Sequence, residues 1–287
     1  MRNLGLLLLV VGGFTLSFDI PALRLGSGET WSVIAVRTTL TAAVGLIGWT
    51  IARRMGRTGP LIGERLSVVV ITLYGTNALT FLLAIQYTTV ANVVFILALN
   101  PMLTALLSWW LIGERPMRET VLAILATTIG AAIIVGGGMK TGNLFGDAMA
   151  FATTFLLALA LTLTRKHDLD VAWQSLVATA APAAIGWTIV AIQGFSITHP
   201  EWIVIDGIVI IPIAFFCLAL APRFVAAPAV AMGFLIETAL APVWIWLIFA
   251  ERPNDAALFG GTIIVTAVLL HSLVQLRRRR SVVSTHV

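Results

Sequence analysis

The stretch LIGERP at residues 111–116 recurs as IFAERP at residues 248–253, each time at the end of a long apolar run. The shared Glu-Arg-Pro cores begin at Glu114 and Glu251, which lie 137 positions apart in a chain of 287 residues. Proline suits a position just past a helix end or in the first turn of the next helix. The two copies therefore predict that the same helix-ending signal occurs once in each half of the chain.

The composition places most of the chain in a membrane. Hydrophobic residues make up 59% of it and charged residues 11%, and the mean hydropathy is +1.00. Soluble domains carry about 25% charged residues, so this chain cannot cover itself with a hydrated surface. Its one cysteine, Cys217, excludes a disulfide framework and a cysteine-based zinc site. The net charge of +5 is interpreted through its distribution as a signal of topology, and no nucleic-acid partner is expected.

Charged residues, prolines and glycines divide the sequence into ten apolar runs, each long enough for a transmembrane helix of about 20 residues. In lipid every backbone amide must be satisfied within its own segment, so these runs are predicted to be helices. The gaps are short and leave no room for a soluble domain. The predicted spans are 4–25, 31–51, 66–86, 88–112, 118–138, 143–164, 171–193, 201–221, 224–249 and 256–276.

Lysines and arginines set the orientation. With the N-terminus in the cytoplasm, fourteen of the 18 basic residues fall on the cytoplasmic side, and the tail at 277–280 consists of four arginines. Only Arg24, Lys140 and Arg252 fall outside, and Arg37 lies within a span. The positive-inside rule therefore predicts that both termini are cytoplasmic. The expected location is the bacterial inner membrane.

Ten spans in two halves give five spans per half, so the second half enters the membrane in the opposite sense to the first. The fold expected is an all-α membrane protein of ten helices built as two inverted five-helix repeats, residues 1–140 and 141–287. Inverted repeats are typical of secondary transporters, whose substrate site lies near the midplane at the repeat interface. The alternative is that Glu-Arg-Pro is an ordinary helix-ending sequence at the membrane interface that occurs twice by chance.

The run QYTTVANVVFILALNPMLTALLSWWLIGERP at 86–116 resembles the core signature of the EamA-type drug/metabolite transporter superfamily. VRTTLTA at 36–42, which contains Arg37, resembles the family's second-helix motif, and 223–253 resembles a degenerate second copy. The resemblance implies ten helices, cytoplasmic termini and export of small metabolites. Among its members the chain is most similar to bacterial aromatic amino acid exporters of the YddG type, which implies amino acids, aromatic or other neutral ones, as substrates.

Glu237 lies near the middle of the ninth predicted span. A charge at the bilayer centre costs roughly 2.5–3.5 kcal/mol on insertion scales, and ionisable residues there are functional by default. We therefore predict that Glu237 faces the cavity and binds the ammonium group of an amino acid or carries a proton. The alternative is a neutral glutamate bonded to a neighbouring helix. A shift of 137 positions places Asn100 at the matching depth of the first half, so the two residues are predicted to flank one site.

Pro101 interrupts the fourth predicted span directly after Asn100. Proline removes a helical hydrogen bond and kinks the helix, which suits a hinge, although membrane helices also tolerate proline without a functional role. Arg37 is predicted to extend toward the outer interface or to pair with Asp19. A structural role is favoured for Arg37, and Asp19 to Pro21 are interpreted as a helix-end feature.

Five further side chains are candidates for the lining of a cavity with stacking faces and polar anchors. Two pairs are three residues apart and so share a helix face. For any one of them, helix–helix packing is the alternative role. These candidates are Tyr74, Asn77, Asn92, Phe95 and Phe155.

Motifs of other functions are absent from the sequence. It holds no Walker A, HExxH or GxSxG pattern, and its four histidines lack metal-ligand spacing, so no enzyme activity, metal or cofactor is expected. The sequence favours a secondary exporter that works by alternating access, with other metabolites or cationic drugs as the alternative cargo. A channel or a membrane-embedded enzyme is a weaker interpretation. The expected partners are a small-molecule substrate and the lipid bilayer, and the oligomeric state is left open.

Overall fold

The structure is a computed structural model that describes residues 2–63, 65–88, 93, 96–97, 99–136, 144–250, 255–256, 258–264, 266–267, 270 and 274. These residues form helices and connecting turns, and none of them belongs to a β-strand. One isolated antiparallel bridge joins Gly28 and Ile197.

The regular elements are twelve α-helices, one π-helical turn and one 3-10 turn in the described part of the chain. The α-helices are α1 Arg2–Leu16, α2 Asp19–Gly26, α3 Thr30–Arg54, α4 Arg65–Tyr87, α5 Asn100–Ile112, α6 Arg118–Gly136, α7 Leu144–His167, α8 Ala172–Val177, α9 Ala180–Gln193, α10 Pro200–Ile205, α11 Ile211–Leu220 and α12 Ala227–Phe249. The π-helical turn is Asp206–Ile210, and the 3-10 turn is Ala221–Arg223.

Within the described residues, six stretches of helix are long and apolar enough to cross a membrane, which makes this a multi-pass membrane protein. Their ends lie within about three residues of the boundaries predicted from the sequence. They are Asn3–Gly26, Thr30–Arg54, Arg65–Ile85, Leu144–His167, Ala172–Gln193 and Pro200–Arg223. The helices α5, α6 and α12 occupy three further predicted spans, and the described residues of the tenth, which are 12 of its 21, are helical. The count of ten remains a prediction.

The first span is interrupted between α1 and α2. Pro21 has no amide hydrogen to donate to the carbonyl of Ser17, four residues earlier, so the helix cannot run through this point unbroken. The Ser17 hydroxyl instead donates to the carbonyl of Phe14 at 2.6 Å. The interpretation of Asp19 to Pro21 as a helix-end feature is wrong, because a second helix begins at Asp19 and continues the span.

The eighth span carries the π-helical turn between α10 and α11. The amide of Ile211 donates to the carbonyl of Asp206, five residues earlier. Pro212 has no amide to bond residue 208, which favours the wider turn. Turns of this kind inside α-helices are frequent at functional sites.

The helices pack in a set of neighbouring pairs. The contacts join α1 with α11 and α12, α4 and α5 with α7, α3 with α8 and α9, and α5 with α12. Small residues allow the closest approaches, as is usual between membrane helices. A Cβ atom added to Gly13 of α1 would collide with the backbone carbonyl of Gly233 in α12.

Polar contacts join elements at the helix ends. Beside the Gly28–Ile197 bridge, the Glu29 amide donates to the Ser196 carbonyl and the Thr198 amide to the Ser27 carbonyl, each at 2.9 Å. This clip connects the loop after α2 to the loop after α9. Near the end of α7, Arg165 Nη2 lies 3.4 Å from Oε1 of Glu114, which follows the end of α5.

The first Glu-Arg-Pro motif follows the end of α5 as predicted. Gly113 closes that helix in the left-handed conformation, with φ of 77°. Ala250 closes α12 in the same conformation, with φ of 56°. The second motif, at 251–253, lies outside the described residues.

Candidate functional site

Arg37 is the centre of a buried charge cluster. It lies in α3 and is 6% exposed. Its Nη2 donates to Asp19 Oδ1 at 2.7 Å, and its Nε lies 2.7 Å from Asp206 Oδ2. Asp19 is 2% exposed and Asp206 is fully buried. The predicted pairing of Arg37 with Asp19 is therefore present, and Asp206 is a second acidic partner.

Two interrupted helices deliver these acidic groups. Asp19 is the first residue of α2, directly after the break in the first span, and Asp206 opens the π-helical turn of the eighth. Gly207 lets this turn approach α3, because a Cβ atom there would lie 2.9 Å from the Arg37 carbonyl. The Thr41 hydroxyl donates to the Gly207 carbonyl at 3.1 Å and fixes the contact.

The two acidic residues share one edge of the guanidinium. Nε and Nη2 point their hydrogens in the same direction, and this edge commonly receives both oxygens of a single carboxylate. Here it receives one oxygen from Asp19 and one from Asp206. The Asp206 carboxylate lacks the alignment for a hydrogen bond to Arg37, and neither of its buried oxygens has a hydrogen-bond partner in the described part of the chain.

Glu237 completes the cluster from α12. It interacts electrostatically with Arg37, Asp19 and Asp206, and its side chain retains partial exposure. We use "charge cluster" for Asp19, Arg37, Asp206 and Glu237. With all four groups ionised, the cluster has one positive and three negative charges. A buried excess of negative charge is costly unless a cation or proton compensates it.

An aromatic cluster lies beside the charge cluster. The rings of Phe18 and Trp244 stack with centroids 4.5 Å apart, and Phe14 meets both edge-on. Trp244 Nε1 donates to the Ser17 hydroxyl at 2.8 Å. Because Phe18 precedes Asp19, these rings connect α12 to the break in the first span.

The predicted cavity residues of α4 form a separate polar cluster against α7. Asn77 is buried, and its Nδ2 donates to the carbonyl of Thr153 at 2.9 Å. The hydroxyls of Thr80 and Thr153 are 2.6 Å apart. Tyr74 lies one turn away with a buried hydroxyl that has no hydrogen-bond partner in the described part of the chain. Phe155 is 39% exposed.

The other predicted residues lie in or near α5. Asn100 is buried, and its side-chain oxygen accepts a hydrogen bond from the Thr104 hydroxyl at 2.8 Å. Glu237, its predicted counterpart in the second half, belongs instead to the charge cluster. Pro101 is the second residue of α5 and lies in its first turn. Asn92 and Phe95 lie outside the described residues.

Sequence reasoning missed Asp206. Its signal was an acidic residue five positions inside the eighth predicted span, followed by a glycine and, after four apolar residues, by Pro212. An intramembrane carboxylate normally requires a named partner. A search for a basic partner of Asp206 within the predicted spans would have led to Arg37. No group of three metal-ligating side chains with the geometry for a metal ion occurs among the described residues.

Comparisons with known proteins agree with this picture. Residues 3–136 match the EamA-like transporter family. The uncharacterized transporter YyaM of Bacillus subtilis (strain 168) is 28% identical over 182 residues, which are 59% of this chain and 59% of that protein. The chain therefore spans about three fifths of the length of that relative. The family match agrees with the predicted resemblance over residues 3–136, and neither match tests the aromatic amino acid subtype.

The fold is shared with a protein of known structure. A solved chain titled "Crystal structure of protein" superposes with a TM-score of 0.78 at 18% identity. The alignment covers 96% of this chain and 99% of that chain.

Proposed function

We propose that this chain is a secondary transporter of the EamA type that exports small organic metabolites, most consistently amino acids, by alternating access. The observation that carries the proposal is the charge cluster at the meeting point of two interrupted helices. Secondary transporters commonly place substrate and coupling-ion sites where discontinuous membrane helices meet. The EamA-like match over residues 3–136 supports the same class.

The helix contacts support two inverted five-helix repeats, residues 1–140 and 141–287. In such a repeat, spans 1 to 5 correspond to spans 6 to 10. The contact of α4 with α7 then corresponds to that of α11 with α1, and the contact of α5 with α7 to that of α12 with α1. The helices α5 and α12 are the fourth and ninth spans, so exchanging the two repeats exchanges these two helices and leaves their contact unchanged. The matching left-handed ends at Gly113 and Ala250 add a second correspondence.

Glu237 is the proposed anchor for the substrate ammonium group. It is the member of the charge cluster that retains partial exposure, whereas both aspartates are buried. The remaining proposed binding residues lie on α4, on α7, and on the fourth predicted span. They are Asn100, Tyr74, Asn77, Asn92, Phe95 and Phe155.

The proposed cycle loads substrate from the cytoplasm and releases it outside. Pro101 is proposed as a hinge, because it lies in the first turn of α5 and has no amide to donate to residue 97. The two repeats rock about the binding site with both termini in the cytoplasm.

Uptake of radiolabelled amino acids into proteoliposomes, one at a time, tests the proposal. We expect saturable uptake of at least one neutral amino acid, with an aromatic one as the first choice, and at least a tenfold loss in Glu237→Gln. The matched control is Glu201→Gln, since Glu201 is exposed and contacts His199 on a loop. Uptake no greater than in empty liposomes for the whole amino acid set would overturn the amino acid assignment.

Cationic drugs are the second candidate cargo, and the negative excess of the charge cluster favours them. Ethidium accumulation in the same vesicles separates the two. Transport of ethidium with no amino acid uptake would select the drug assignment. A conductance without saturation would instead indicate a channel.

A further inference from the structure

We propose that Asp206 and Asp19 hold a proton between them on the guanidinium of Arg37, which makes this pair a proton-binding site inside the membrane. Glu237 is proposed as the group through which this proton exchanges with the cavity. The use of the proton in transport rests on the proposed function. The binding site itself does not.

The geometry of the guanidinium carries the first step. Arg37 Nε and Nη2 each lie 2.7 Å from an oxygen of a different carboxyl group. Because these two nitrogens share one edge, the carboxyl groups of Asp19 and Asp206 lie side by side on the guanidinium. Two adjacent carboxylates cannot both ionise readily, and a shared proton converts their repulsion into a hydrogen bond.

The second step is the unsatisfied carboxyl of Asp206. The residue is fully buried, and apart from the ion pair of Oδ2 with Arg37, neither oxygen has a hydrogen-bond partner among the described residues. A buried acceptor without a partner costs about 1–3 kcal/mol, and more when it is charged. A proton on the Asp206 carboxyl makes that group able to donate to Asp19 and removes one buried negative charge.

Access and size select a proton over a larger cation. Asp19, Arg37 and Asp206 are 2%, 6% and 0% exposed, so an ammonium group has no entry to them. The Gly207 carbonyl already accepts from Thr41, and the guanidinium repels a metal ion at the same spot. No metal-ligating group of three side chains was found among the described residues.

The charged groups around the site come from four elements. They are Asp19 at the start of α2, Arg37 in α3, Asp206 in the π-helical turn and Glu237 in α12. On the same helices, Glu29 caps the start of α3 by accepting from the Ser32 amide, and Arg24 lies over the ring of Phe249. In uptake, water gives a proton to Glu237, and the O–H bond of Glu237 then breaks as one forms on Asp206. Release reverses these two transfers and returns the proton to water.

Infrared spectroscopy of the purified full chain in nanodiscs tests the proposal without a substrate. A protonated carboxyl has a carbonyl stretch well separated from carboxylate bands, and deuterium exchange shifts it. We expect such a band at neutral pH in the wild type, lost in both Asp206→Asn and Asp19→Asn. Glu237→Gln should keep the band and slow its deuterium exchange at least tenfold.

Asparagine mimics a protonated aspartate in shape, so both variants are expected to fold, which gel filtration and circular dichroism verify. A wild-type titration supplies a test that needs no variant, because the band should disappear at alkaline pH. The absence of any band at neutral pH would overturn the proposal, and so would a band removed by Glu237→Gln alone. Failure of amino acid uptake would leave this result unaffected.

Discussion

Gly113 and Ala250 end their helices in the same left-handed backbone conformation, 137 positions apart. Glycine adopts this conformation without steric cost, whereas alanine places its Cβ too close to the following carbonyl. The residues before the two Glu-Arg-Pro motifs thus end their helices in the same way although they are of different types. The conformation recurs although the residue type does not.

Exchanging the two helix-ending residues should therefore change stability in opposite directions. Gly113→Ala should lower the free energy of unfolding by about 1–2 kcal/mol, and Ala250→Gly should raise it by about 0.5–1 kcal/mol. Unfolding titrations in mixed micelles measure both. Gly59→Ala is the control, because Gly59 has open space around it and no positive φ. Equal losses at both helix ends would contradict the shared conformation.

Removal of Arg37 should destabilise the chain strongly. Arg37→Met leaves Asp19 and Asp206 buried without their cation, and breaking a buried pair in this way costs about 3–5 kcal/mol. Unfolding titrations of the purified variant measure the loss. Arg37→Met combined with Asp206→Asn should lose less than the sum of the two single changes, since they share one network.

The control for Arg37 is Arg53→Met. Arg53 lies near the end of α3 with its guanidinium over the ring of Trp49, at 5.7 Å. Exposed contacts of this kind contribute about 0.5–1 kcal/mol. A loss of similar size in both arginine variants would mean that Arg37 is not a buried ionic centre.

The contact of α1 with α12 should not tolerate a larger residue at Gly13. A Cβ there collides with the Gly233 carbonyl, which is backbone and cannot rotate away. Gly13→Ala should therefore cost about 1–3 kcal/mol in unfolding free energy. Gly59→Ala serves again as the comparison. An unchanged free energy of unfolding in Gly13→Ala would show that these two helices lie farther apart.

Repairing the break in the first span should reduce transport without loss of stability. Pro21→Ala restores an amide that can reach the Ser17 carbonyl, so α1 and α2 can join and move Asp19 relative to Arg37. We expect at least a fivefold fall in vesicle uptake with an unchanged or higher melting temperature. Pro200→Ala is the control, because Pro200 occupies the first turn of α10 and breaks no hydrogen bond. Uptake equal to wild type in Pro21→Ala would mean that the break is dispensable.

Much of this fold could be predicted from hydropathy. The six long spans follow from unbroken apolar runs of about 20 residues, and the role of Glu-Arg-Pro after α5 follows from proline chemistry. The interruptions were harder to predict, because Pro21 and Pro212 each remove one helical hydrogen bond and the response of the backbone depends on the packed neighbours. The π-helical turn, for example, requires Gly207 to lie against α3.

The candidate site was predicted in part for the same reason. Glu237 stands out alone in an apolar run, and Asp19 and Arg37 fall in adjacent helices, so their pairing could be proposed. Asp206 is 169 positions from Arg37 and shares no motif with it. Only the fold brings the eighth span against the second, and the sequence contains no periodic cue for that contact.

The Arg37–Asp19 ion pair has a consequence for biosynthesis. The two residues are 18 positions apart and belong to two consecutive spans that are synthesised well before the eighth. A helical hairpin can thus enter the lipid with its two internal charges already neutralising each other, which lowers the cost of inserting either alone. The aspartate of the eighth span arrives only after about 170 further residues, at a guanidinium already in place. The insertion machinery therefore receives the neutral Arg37–Asp19 pair before it receives Asp206 and Glu237, which carry the remaining negative charge.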